Sequence, residues 1–231
     1  HCILLVGSQR FSRPSRRRLV GFDMEGCPPE DRTVWEIMHR HLGTWQSHGE
    51  PYWNRYRAGE FEYDRFARMD VAVWRGAPLS MLHGAARSVQ LVPGCEQLLE
   101  ALAENGTTVA IISNGLRCLA ERFRGEFGVE HIYANRAVVD GARLTGEIRL
   151  DVPFGSKGRV LVELAEELGM ETSRVAAVGD GPADCAMFRE AGTGIAFCPA
   201  EPSVSEAATW TVSRKDLREL MDPLLASSSP T

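Results

Sequence analysis

The sequence predicts an α/β fold: a doubly wound, Rossmann-like parallel sheet with a small helical cap inserted after the first strand. Three observations carry that expectation. Short apolar runs that end in polar or acidic groups alternate with stretches of helical periodicity. Two of the runs, Leu19-Val20-Gly21-Phe22 and Val175-Ala176-Ala177-Val178, read as strands buried on both faces and lead into Asp23 and Asp180. Between residues 29 and 92 this grammar stops, and four of the five tryptophans (Trp35, Trp45, Trp53, Trp74) sit among Arg, Glu and Asp at helix-like spacing.

Residues 1–18, with a basic cluster from Arg13 to Arg18 beside Ser and Pro, are expected to form a flexible N-terminal segment. The core is expected over 19–28 and 93–225, the helical cap over 29–92 and a tail over 226–231. The first strand ends at Asp23, and Gly26, Pro28 and Pro29 break the chain. After Pro93-Gly94 a helix is predicted over 96–104, with Leu98, Leu99 and Leu102 on one face and Asn105-Gly106 as its stop. A strand follows over 108–113, a helix over 115–127 ended by Gly128, and a short strand over 131–134. Residues 138–148, centred on Asp140-Gly141, read as a hairpin. A periodic helix over 157–168 closes at Gly169. A strand over 175–178, a helix over 182–191, a strand over 195–197 and a helix over 214–221 complete the alternation.

A formal net charge of −5 provides no positive field to recruit nucleic acid or anionic lipid, so neither is an expected partner. No run approaches the roughly 20 apolar residues of a membrane span, and no signal-peptide pattern is evident, so a cytoplasmic protein is expected. The cysteines (Cys2, Cys27, Cys95, Cys118, Cys185, Cys198) form no C-x-x-C pair, which favours neither a zinc site nor a disulfide framework. His39 and His41 would point to different faces of a helix.

Ligands of an open parallel sheet bind beyond the carboxyl ends of its strands. Three polar groups would meet there: Asp23 with Glu25, Ser113-Asn114-Gly115, and Asp180-Gly181-Pro182-Ala183-Asp184. Each has an ordinary reading too. Asp180 and Asp184 can cap a following helix, Ser113 can be a turn residue, and Lys157 can be a surface lysine at a helix start.

Taken together and in order, these segments resemble the haloacid dehalogenase-like superfamily, in its phosphoserine-phosphatase-like branch. The likeness rests on Phe22-Asp23-Met24-Glu25-Gly26-Cys27, Ile112-Ser113-Asn114-Gly115, Lys157 within Phe154-Gly155-Ser156-Lys157-Gly158, and Gly179 to Asp184. It continues through Tyr133-Ala134-Asn135-Arg136, Leu144-Thr145-Gly146 and Gly194-Ile195-Ala196-Phe197. The resemblance implies a phosphatase: a magnesium-dependent phosphomonoester hydrolase that acts on a small phosphorylated metabolite through an aspartyl-phosphate. It implies Asp23 as nucleophile and Glu25 as acid and base. Ser113, Asn114 and Lys157 are then the phosphate-binding residues, and Asp23, Glu25, Asp180 and Asp184 hold Mg²⁺.

The sequence departs from the family pattern at Glu25, where a second Asp is usual, at Cys27 (usually Thr) and at Ala183 (commonly Asn). These changes motivate the alternative of a degenerate member that binds a phosphorylated ligand or a protein partner with little turnover. In the cap, the likeness aligns Arg32 with the family's substrate-binding Glu and Asp70 with its Arg, with Arg68 close to the second position. The charges that would read serine are then reversed, and serine specificity is not expected. The cap aromatics either form the cap's own core or line a pocket for a flatter, more apolar substrate. Both Asp180 and Asp184 are present, which argues against a metal-free dehalogenase. The absence of lysine between Glu25 and Pro93 argues against a phosphonatase using a Schiff base from the cap.

Overall fold

The structure, a computed structural model, describes residues 18–24 and 33–225. Glu25, Cys27, Arg32, most of the N-terminal segment and the tail lie outside the described residues.

Seven strands form one sheet in the order β4-β3-β2-β1-β5-β6-β7. They are β1 (Arg18–Phe22), β2 (Thr107–Leu116), β3 (His131–Asp140), β4 (Arg143–Arg149), β5 (Val175–Gly179), β6 (Thr193–Phe197) and β7 (Trp210–Val212). All neighbours pair in parallel except β3 and β4. Central β1 is apolar on both faces because helices cover both. At Gly21 the cover is so close that a Cβ would stand 2.9 Å from Leu161 Cδ1, and that leucine would have to shift to admit one.

The α-helices within residues 33–92 are α1 (Val34–His41), α2 (Glu50–Arg57), α3 (Tyr63–Val73) and α4 (Leu79–Ser88). Thr33 opens α1 by accepting the Glu36 N–H at 3.2 Å, so Thr33-Val34-Trp35-Glu36 is a helix-start signal written in the sequence. Trp35, Phe66 and Trp74 are buried between these helices, with Trp35 stacked on Trp74 at 6.0 Å and edge-on to Phe66 at 5.6 Å. Burying each such ring contributes roughly 3 kcal/mol. This cluster runs on into the sheet face without a break, through Met24, Leu98 and Ile111.

Two features fasten the helices to the sheet. Backbone bonds join Gly76 to Leu144 and Leu79 to Ala142, at 2.8 Å each, so the β3–β4 hairpin clasps the α3–α4 turn. Arg122 of α6 (Arg117–Phe127) donates to the Ala86 and Val89 carbonyls at 2.9 and 2.6 Å. The remaining helices are α5 (Cys95–Glu104), α7 (Lys157–Glu167), α8 (Cys185–Glu190), α9 (Pro202–Ala207) and α10 (Met221–Leu225). No described helix is long and apolar enough to cross a membrane.

Several boundaries differ from expectation. The separate strand and hairpin expected over 131–148 share β3, whose first half pairs with β2 and whose second half pairs with β4. β2 runs past a register shift to Leu116, which pairs with Asn135, so α6 begins two residues late. The helix expected over 214–221 is a 3₁₀ turn at Leu217–Leu220 followed by α10, because Asp216 captures the Arg218 N–H at 3.0 Å and sets the start there. α9 and β7 were not anticipated; they have six and three residues, too few to show a period.

Candidate active site

Parallel pairing brings the carboxyl ends of β1, β2 and β5 to one edge. Phe22 stands beside both Ile111 and Val178, and the Asp23 N–H continues the ladder to the Val178 carbonyl at 2.8 Å. Asp23 therefore leaves the sheet where β5 turns into Gly179-Asp180. A 3₁₀ turn at Pro182–Asp184 folds Asp184 back, and its Oδ2 accepts the N–H groups of Asp180 and Gly181 at 3.0 Å each. A Cβ on Gly179 would collide with that carboxylate.

Lys157, the first residue of α7, is buried, and its Nζ donates to Asp23 Oδ1 and Asp184 Oδ1 at 2.7 Å each. Burial works against its charge, but Asp184 and Asp23 outweigh burial and raise its pKa. Three carboxylates thus share one ammonium. Burial, with the neighbouring Asp23 and Asp184 charges adding to it, pushes the Asp180 carboxyl up to about 7. Asp184 is also raised, chiefly by burial and then by Asp23. One oxygen from each of Asp23, Asp180 and Asp184 lies within 4.8 Å of the others. An all-oxygen donor set with surplus negative charge suits a hard divalent cation.

Lys157 owes its place to an asparagine pair. Asn114 Nδ2 donates to the carbonyls of Val152 and Pro153 at 2.9 and 3.1 Å. Buried Asn135 Nδ2 donates to the Asn114 carbonyl at 2.6 Å, and Asn135 Oδ1 accepts the Val152 N–H at 2.8 Å. The turn that delivers Phe154 and Lys157 is thereby held to the ends of β2 and β3. Asn135 is a positioning residue that sequence reasoning passed over, although Tyr133-Ala134-Asn135-Arg136 had marked its segment.

A cavity of about 480 Å³ opens above the carboxylates. Asp23, Asp180, Asp184 and Lys157 lie at one end, and rings from α1, α2, α3 and the Phe154 turn line the rest. Cys198, at φ +49°, also borders it, and the chain there lets the Ala200 N–H reach the Asp180 carbonyl at 2.8 Å.

The expected residues divide accordingly. Asp23, Lys157, Asp180 and Asp184 come together. Ser113 is fully buried, its Oγ accepting the Gly115 N–H at 2.9 Å, and it does not line the cavity. Asn114 does line it, with its side-chain amide committed to residues 152 and 153, which leaves its backbone N–H as the group to meet a phosphate. Arg68 and Asp70 are not brought to the site. Two residues apart on α3 they point about 200° apart. Arg68 is exposed, and Asp70 is buried with its Oδ1 3.2 Å from His39 Nε2. Glu25 and Arg32 lie outside the described residues.

The haloacid dehalogenase-like hydrolase model matches residues 29–189. A phosphoserine phosphatase of Methanocaldococcus jannaschii is 28% identical over 207 residues, 89% of this chain and 97% of the relative. One of Lactococcus lactis is 30% identical over 168 residues, 71% of this chain and 76% of the relative. Among solved structures, a phospho-aspartyl intermediate analogue of phosphoserine phosphatase superposes with a TM-score of 0.80 at 24% identity, covering 91% of this chain and all of that one, which establishes the shared fold.

Proposed function

The chain belongs to the haloacid dehalogenase-like hydrolases, in the phosphoserine-phosphatase-like branch, and we propose that it hydrolyses a small phosphomonoester in which Asp23 takes up the phosphoryl group. The observation that supports this reading is the three-carboxylate cluster, with Asp23 and Asp184 bridged by Lys157, at the base of a ligand-sized cavity.

An Asp23 carboxylate oxygen attacks phosphorus; the new O–P bond forms as the ester P–O bond breaks. The departing oxygen takes its proton from Glu25 and leaves as the alcohol. Water then attacks the phosphorus of the aspartyl-phosphate and gives its proton to Glu25. The acyl-phosphate bond breaks, the Asp23 carboxylate is restored and inorganic phosphate departs. Lys157, kept charged by its two acids, offsets negative charge on the transferring group. The Asn114 backbone N–H is a further phosphate donor at the cavity wall, and buried Ser113, with its Oγ on the Gly115 N–H, shapes that segment.

Magnesium fits the donor set: Asp23, Asp180 and Asp184 would hold it, with Glu25 contributing beside Asp23. When bound, it offsets the repulsion between the nucleophilic carboxylate and the phosphoryl oxygens. The test is phosphate release from a panel of small phosphomonoesters, with Mg²⁺ and with chelator, for the wild type and Asp23→Asn. Release that needs both the metal and Asp23 supports the reading. A folded protein that binds Mg²⁺ and phosphate esters yet releases no phosphate from any of them overturns it.

A further inference from the structure

Resting on the phosphomonoesterase reading, we propose that the organic part of the substrate is a flat apolar group, an aromatic ring carried on or next to the ester oxygen.

The cavity wall is built of Trp35, Trp53, Tyr56, Tyr63 and Phe154. Two of these rings have their polar atoms engaged within the protein. Trp35 Nε1–H donates to Tyr63 Oη at 3.0 Å, and Tyr63 O–H donates to the Asn114 carbonyl at 3.0 Å. That relay starts in α1, passes through α3 and ends on the strand edge beside the carboxylates. It fixes both rings so that they offer carbon surface, not hydrogen-bonding groups, to whatever fills the space.

Among the described residues, the charges of the cavity wall do not suit an amino acid. Outside the carboxylate–Lys157 cluster, Lys215 is the one charged residue lining the cavity among the described residues. Among the described residues, an ammonium group on the substrate meets no carboxylate there outside that cluster. The size suits rings: a cavity of about 150 Å³ holds a benzene, so about 480 Å³ accommodates a phosphate and one or two rings.

Phe154 is the second, independent sign. It is 48% exposed, one of three large apolar side chains so placed among the described residues. Its ring stands 5.9 Å from that of Tyr63. The turn that carries it is anchored by the Phe154 N–H to Asp64 Oδ1 at 3.1 Å and by the Asn114 amide. The same turn delivers Lys157 three residues later. A ring held open to water at the cavity mouth, rigidly coupled to the phosphate-facing lysine, gains cover when an aromatic substrate enters.

The test uses the full chain and four esters whose leaving groups are all alkoxides, so that leaving-group reactivity does not imitate recognition: benzyl, 2-naphthylmethyl and butyl phosphate, and phosphoserine. The arylmethyl esters are expected to exceed butyl phosphate and phosphoserine in kcat/KM by about tenfold or more. Phe154→Ser and Trp53→Leu are each expected to cut the benzyl-to-butyl ratio about threefold or more. The Phe154 variant changes a half-exposed side chain, so it also serves if the Trp53 variant does not fold. Benzylphosphonate and butylphosphonate, which cannot be hydrolysed at carbon–oxygen–phosphorus, are titrated in parallel by tryptophan fluorescence. Metal-dependent turnover with phosphoserine equal to or better than benzyl phosphate, or a ratio unchanged in the variants, overturns the aromatic inference alone. Preferential benzylphosphonate binding without turnover of any ester upholds it and overturns the hydrolase reading. Neither turnover nor preferential binding overturns both.

Discussion

Two buried clusters of ionisable groups, one at the sheet edge and one inside the insert, show what separates a site from a structural pair. In the insert, Trp74 Nε1–H donates to His39 Nδ1 at 3.3 Å. His39 Nδ1 also lies 2.7 Å from Thr44 Oγ1, and its Nε2 faces Asp70 Oδ1 at 3.2 Å. Burial raises the Asp70 carboxyl while His39 opposes the rise. This cluster sets one carboxylate against one imidazole, and neither residue lines the cavity at the sheet edge. At the sheet edge, three carboxylates face one ammonium, and burial, with the neighbouring carboxylates adding to it, raises Asp180 and Asp184. His39 and Asp70 are fully buried, whereas Asp180 is half-buried at the cavity, and the charge balance differs as well.

The largest expected effect tests the overcharged cluster directly. Asp23→Asn removes the nucleophile and is expected to lower phosphate release at least about a thousandfold, while the fold is kept because one of the crowded carboxylates is relieved. Initial-rate assays with thermal unfolding check both halves. A variant that retains a tenth of wild-type activity would show that Asp23 is not the attacking group.

Next comes the ammonium. Lys157→Met leaves the buried carboxylates without their shared partner and is expected to cost about 3–5 kcal/mol in urea unfolding. Millimolar Mg²⁺ should restore part of that loss, because a cation can take over the lysine's balancing role at the carboxylates. The matched change in the insert, Asp70→Asn, is expected to cost only about 1–3 kcal/mol, the penalty of a buried amide that cannot satisfy all its groups. Its loss should be the same with and without the metal. Equal metal dependence in the two variants would erase the distinction between the clusters.

The contrast also explains what the sequence disclosed. The sheet-edge residues were legible because each lies where an apolar strand ends: Asp23 after β1, Ser113 within β2, Asp180 after β5. Parallel topology then forces such ends together. The insert offered no such rule. Arg68 and Asp70 were chosen by alignment along α3, and the helix turned one to solvent and the other into the core. Tyr63 and Phe154, which do meet the cavity, are 91 positions apart in the chain and share no period. Thr33 was findable, since Thr-x-x-Glu before an apolar run marks a helix start. Asn135 was not, because its value lies in bridging two loop segments that only the fold brings side by side.

The smallest effect is a slope, and it bears on the surplus charge itself. In the metal-free protein the Asp180 carboxyl titrates at about 7, against 3.8 for an unperturbed one. Between those values the folded chain holds a proton that the unfolded chain has released. Stability from this group is therefore full below the unfolded value and is lost as pH rises through the folded one. The fall amounts to at most about 1.4 kcal/mol per pH unit. Mg²⁺ at saturation favours the ionised carboxylate across the same window, so the slope should flatten or reverse. Urea unfolding in chelator and in Mg²⁺, at intervals from about pH 5 to about pH 8, reads both curves. If metal-free stability rises steadily over that range, the Asp180 carboxyl is not held protonated at the floor of the cavity, and the metal has no raised carboxyl there to deprotonate.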